Sequence, residues 1–300
     1  MLDPPHEGLP AIEISPASEV ISRLTYPWGS GAPSIKLSSC KVATHDQASS
    51  LLRKLARSVF FQIDLLAGVA LGLAHGSQRP VARVAKKTAK SLVGDLQYPK
   101  AEFDDSPSSL YWYGRGASGM PLLQFLAFYQ VIEFYFPVYS KAEAQRKVKA
   151  VLKDPTFRSD RDADLGRLLS AIYISRSGAY GDERSQVRAT LMECVEPEGL
   201  RAFLEADPDR KDFYLAKGKS PYQRLSLANP TADLRNDVSD RIYDIRCKIV
   251  HTKSDSRTGD AEILLPFSRE AEQLFFDIQL VRYLAQRVLI TASLPLPAAR

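Results

Sequence analysis

Cysteine is scarce in this 300-residue chain, and its three cysteines, Cys40, Cys194 and Cys247, are far apart and never form a CxxC pair. That pattern argues against a disulfide framework or a structural zinc and fits free thiols in a reducing compartment. Only four histidines occur, scattered and without an HExxH pair, so no metal site is expected. No strand precedes Gly114, Gly116 and Gly119, which sit among aromatics and do not make a phosphate-cradling loop. A GxSxG nucleophile elbow is also missing. No cofactor is therefore expected. Every apolar run is broken by Gln, Glu, Arg or Gly before the about 18 residues a membrane span needs. The opening MLDPPHEGLP has neither the basic nor the apolar region of a secretion signal. The expectation is a soluble, cytoplasmic protein with no membrane association.

Charge is not strongly one-sided. Lys and Arg number 40 against 35 Asp and Glu, a net +5. Such a mildly basic chain is compatible with nucleic acid without requiring it. With 45% apolar residues, the length suits one large domain or two smaller ones.

Residues 1–44 are rich in Pro, Gly, Ser and Thr around short apolar runs, which reads as a few short strands joined by turns. Leu51, Leu52, Leu55, Val59, Ile63, Leu66 and Ala70 keep helical spacing, so a long helix is expected over about residues 49–75, fading at Gly72 and Gly76. A basic segment, residues 78–90, follows, and reads as a solvated face or a phosphate-tracking patch. The polar stretch 94–109 reads as a loop and a domain boundary, giving an N-terminal α+β region, 1–109, and a helical domain, 110–300. In the helical domain, Pro121 suits a helix start and Pro137 a helix end. The segment between them is apolar nearly all round, so it should be a core helix, and its embedded Glu133 should have a cationic or backbone donor beside it. Further helices are expected over residues 141–152, 164–175, 182–194, 197–205 and 268–291, with 211–229 as a connection. The fold class is mainly α.

One stretch carries candidate chemistry. In DLRNDVSDRIYDIRCKIVHTK, residues 233–253, Leu234, Val238, Ile242, Ile245 and Ile249 recur at spacings of four, four, three and four. This is one apolar face of a helix. Arg246 and His251 stand near its end, with four residues between them. Residues five apart on a straight helix diverge by about 140°, at ~100° per residue. The two converge on one substrate only if the helix ends before His251 or a second subunit completes the site. An alternative is structural: Arg246 neutralises Glu133 or another buried acid.

The stretch DRIYDIRCKIVHTK resembles the signature helix of HEPN-domain proteins, whose motif is an arginine and a histidine separated by four to six residues. The upstream PLLQFLAFYQVIEFYF also resembles an earlier helix of HEPN domains in bacterial defence genes. The resemblance covers about residues 110–293. It implies a helical bundle, a homodimer or higher homo-oligomer with a composite site, and metal-independent endoribonuclease activity leaving 2′,3′-cyclic phosphate and 5′-hydroxyl ends. On that reading the protein is a toxin or effector in antiviral or abortive-infection defence, with RNA as substrate and a possible protein partner from a defence operon. Arg246 and His251 would be catalytic. Tyr243, Lys248 and Lys253 are candidate substrate contacts, and Glu133 and Asp244 candidate structural or orienting groups. Many active members place a polar residue directly after the arginine; here it is Cys247. The other reading of the same resemblance is a non-catalytic HEPN-like RNA- or nucleotide-binding or dimerisation subunit.

Overall fold

The computed structural model describes residues 1–5, 9–24, 33–73, 96–177, 183–216, 222–250, 264–266 and 268–296. The fold is mainly α, with four short strands among the described residues. The chain forms two compact units. The basic segment 78–90 lies outside the described residues.

The N-terminal unit begins with β1 (Ala11–Pro16), helix α1 (Glu19–Leu24) and β2 (Pro33–Ser38). β1 and β2 pair antiparallel, with Ile12 opposite Leu37 and Ile14 opposite Ile35. Leu2 adds a bridge to Ile12, its N–H donating to the Ile12 carbonyl at 2.7 Å. Helix α2 runs His45–Ala67, starting earlier and ending sooner than the expected 49–75. Local chemistry sets both ends. Thr44 accepts from the Gln47 N–H, and the Gln47 side chain accepts from the Thr44 N–H, which makes a capping box. Gly68 takes a left-handed conformation at φ 66°, and its N–H donates to the Asp64 carbonyl, so this glycine stops the helix ahead of Gly72 and Gly76. Leu55 and Val59 pack with Leu9, Ile12 and Tyr98 to form this unit's core. β3 (Ala101–Glu102) pairs antiparallel with β4 (Leu294–Pro295). The chain from Ala292 through Leu296 thus belongs to the N-terminal unit rather than to a 110–300 domain.

The second unit spans Ser109–Thr291. Its helices are α3 (Asp105–Gly116, whose first turn belongs to the N-terminal unit), α4 (Pro121–Phe134), α5 (Phe136–Lys153), α6 (Asp162–Ser177), α7 (Glu183–Cys194), α8 (Pro197–Glu205), α9 (Pro208–Leu215), α10 (Leu234–Val250), α11 (Arg269–Glu272) and α12 (Phe275–Ala292). α4 is the core helix, with Phe125, Phe128, Val131 and Ile132 fully buried. Pro137 opens α5 rather than ending α4. A proline lacks the N–H a continuous helix would need there, so the chain breaks two residues earlier, at Tyr135. The turn-rich stretch before residue 109 also holds β3 and the start of α3. α3 approaches α4 through Gly114, where an added Cβ would lie 2.8 Å from the Phe128 ring. α9 occupies part of the expected connection 211–229. Residues 268–291 form two helices, α11 capped by Ser268 and then α12. α10 packs against α4, α7 and α8. Among the described residues no helix is long and apolar enough to cross a membrane.

Candidate functional site

α10 is built around its apolar stripe, with Leu234, Val238, Ile242 and Ile245 buried. Arg241 shares that buried side although it is charged. Its side chain is 1% exposed, as is that of Asp277 on α12, and the two form a bidentate pair at 2.7 and 2.9 Å. The remaining terminal nitrogen donates to the Gln223 carbonyl at 2.8 Å. The rings of Phe213, Tyr214 and Tyr222 surround the guanidinium at 5.4, 5.0 and 5.5 Å. Burial and the Asp277 charge push the Tyr214 hydroxyl well above its ordinary pKa. This pair ties α10 to α12 and fixes the helix that carries Arg246.

Arg246 lies one turn before Val250. Its side chain is 17% exposed, and Nε stands 3.0 Å from Glu183 Oε1 at the start of α7. A terminal nitrogen is 3.9 Å from Glu133 Oε1 on α4. The Tyr129 hydroxyl donates to the same Glu183 oxygen at 2.7 Å, and the Arg246 guanidinium lies 5.9 Å from the Tyr129 ring centre. Burial raises the Glu133 pKa, the Glu183 charge raises it further, and Arg246 opposes both. Burial and the bond to Glu183 raise the Tyr129 pKa strongly. One guanidinium thus faces two carboxylates, a local sum of +1 − 2 = −1 when both are ionised.

The other candidates are distributed around α10. Tyr243 lies under the Arg184 guanidinium at 4.8 Å. Its pKa is pushed up to about 12, first by a hydrogen bond with Cys247 and then by burial. Asp244 receives Arg184, so it orients that arginine. Arg184 also reaches Asp240 at 3.1 Å, and Arg188 reaches Asp240 at 3.0 Å. Lys248 stands over the Tyr222 ring at 4.9 Å. It is two residues from Arg246, about 200° around the helix at ~100° per residue. The structure therefore brings Glu133 to Arg246, and directs Asp244 to Arg184 and Lys248 to Tyr222. His251 and Lys253 lie outside the described residues.

Sequence reasoning missed Glu183, Tyr129 and Arg241. Glu183 is 246 − 183 = 63 residues from its arginine, and only the packing of α7 on α10 joins them. Arg241 had a legible signal, because 234, 238, 241 and 245 form a stripe as regular as the one read.

A recess of about 570 Å³ lies within the N-terminal unit, between α2 and residues 102–105. Lys54 pairs with Glu102 at 2.8 Å across it, and Arg57 pairs with Asp105. Among the described residues no group of three or more His, Cys, Asp or Glu side chains stands ready to hold a metal ion. No family model matches the chain. Neither a curated protein nor a solved structure matches it.

Proposed function

We propose that the chain is a HEPN-type, metal-independent endoribonuclease, active as a homodimer, with Arg246 and His251 as its catalytic pair. The observation that carries the reading is Arg246 itself: a guanidinium held between α4 and α7 on the core-packed helix, five residues before a histidine. In the proposed reaction the RNA 2′-oxygen forms a bond to its neighbouring phosphorus, and the bond from phosphorus to the 5′-oxygen breaks. The 2′-hydroxyl proton is lost and the leaving 5′-oxygen gains one. His251 carries one of these transfers, since an imidazole titrates near neutral pH. The other transfer goes through the second copy's site or water. Arg246 holds the phosphate and stabilises its added negative charge. The biological setting proposed is the cytoplasm, as a toxin or effector in antiviral or abortive-infection defence.

Incubation with RNA in EDTA, followed by analysis of the product ends, tests the reaction. Wild type should yield 2′,3′-cyclic phosphate and 5′-hydroxyl ends, and Arg246→Ala and His251→Ala should each abolish them. Intact RNA with wild type and variants alike refutes the reading.

A specific observation favours a second reading, a non-catalytic HEPN-like RNA-binding or dimerisation subunit. Arg246 is already engaged by the Glu183 carboxylate and faces Glu133 at 3.9 Å, so two acidic side chains compete with a phosphate for it. RNA binding that falls steeply with salt, without cleavage and insensitive to His251→Ala, would support that reading.

A further inference from the structure

Resting on the endoribonuclease reading, we infer that Glu183 is the positioning residue for Arg246, with Tyr129 holding Glu183 in place. Three links run from the core outward. The Tyr129 ring is buried and fixed, stacked on Phe125 at 6.5 Å and met edge-on by Phe136 at 6.2 Å. Its hydroxyl donates to Glu183 Oε1 at 2.7 Å, which sets the carboxylate. The same oxygen meets Arg246 Nε at 3.0 Å.

Holding a guanidinium by its Nε edge fixes the plane of the fork, and with it the direction of the terminal nitrogens. Phosphate recognition by arginine depends on that direction. Glu133 plays a different part. It stands 3.9 Å from a terminal nitrogen, beyond hydrogen-bond length, and its side chain is 41% exposed. An arriving phosphate displaces Glu133 and leaves the Glu183 anchor intact. Arg246 is therefore held on one edge and contested on the other: Glu183 acts on kcat, Glu133 on KM.

The test uses full-length protein and two readouts. The first is RNA cleavage by Glu183→Ala, Glu183→Gln, Tyr129→Phe and Glu133→Gln. A mispositioned catalytic group costs on the order of 100-fold in rate, so Glu183→Ala should lose about that factor in kcat. Glu183→Gln keeps an oxygen acceptor for Nε and should recover part of the loss, whereas Glu133→Gln should lower KM. The second readout is independent of activity: the rate at which phenylglyoxal modifies Arg246, followed by peptide mass spectrometry. It should rise several-fold in Glu183→Ala and more modestly in Tyr129→Phe. A wild-type kcat in Glu183→Ala overturns the inference. If wild type does not cleave RNA, the endoribonuclease reading fails, and the modification rate alone decides the anchor. An unchanged rate in Glu183→Ala and Tyr129→Phe overturns it, and an increased rate sustains it.

Discussion

Replacing Arg241 with alanine should be the most damaging single change in the helical unit. Arg241 and Asp277 are each 1% exposed and bonded at 2.7 and 2.9 Å. Truncating the arginine leaves the Asp277 carboxylate in the core with the Tyr214 hydroxyl, 3.3 Å away, as a remaining donor. The Gln223 carbonyl loses its guanidinium donor as well. Breaking a buried pair from one side costs about 3–5 kcal/mol, because the orphaned charge has given up its water. For a unit of this size about 1 kcal/mol moves Tm by roughly 2–4 °C, so Tm should fall by roughly 6–20 °C. Urea unfolding followed by circular dichroism, with Tm from calorimetry, measures both quantities. The double variant Arg241→Met, Asp277→Leu should recover much of the loss, since apolar residues of similar volume replace buried ion pairs at little cost. A loss below about 1 kcal/mol in Arg241→Ala would refute this, because no dry, charge-paired core leaves so small a trace.

Other expectations concern single positions. Glu133 has a raised folded pKa, so the stability it contributes is fully present below its ordinary value of 4.5 and is lost as pH rises through the folded value. Glu133→Gln, which stays neutral, should match wild type near pH 4 (about the unfolded pKa) and become the more stable of the two toward pH 7, as read by thermal unfolding at several pH values. A gap that shrinks with rising pH would contradict the assignment. Gly114→Ala should destabilise the helical unit by up to about 2 kcal/mol. Overpacking against Phe128 costs about 1–3 kcal/mol and outweighs the ~1 kcal/mol gain in helix propensity; a stabilised variant in a urea titration would show the approach is looser. Thr44→Ala should cost the N-terminal unit about 1 kcal/mol through loss of the α2 cap, measurable by the same titration.

What was legible in the sequence follows the range of the interactions involved. Pro121, Pro197 and the Asp and Glu residues of first turns mark helix starts through local backbone chemistry, and α4, α7 and α8 begin at or within a residue of the expected positions. α9 escaped because Pro208–Leu215 holds four charged residues in eight, and its Phe213 and Tyr214 reach the core through distant partners, Arg241 and Phe276. The end of α2 was misplaced because apolar spacing continues through Ala70, while Gly68 stops the backbone first. Arg246 was legible as a candidate because its motif is contiguous. Its partner Glu183 was not, because a carboxylate at a helix start is ordinary and nothing local in the sequence links it to an arginine 63 residues downstream. The return of Leu294 and Pro295 to pair with β3 was likewise invisible, since a two-residue strand carries no periodic signal.

Whether Arg246 and His251 cut RNA is measured most directly by cleavage of a defined RNA in EDTA by wild type, Arg246→Ala and His251→Ala, with product ends identified by mass spectrometry. The proposed reaction requires 2′,3′-cyclic phosphate and 5′-hydroxyl ends from wild type and uncut RNA from both variants. Uncut RNA in all three reactions, or equal cleavage in all three, would contradict it.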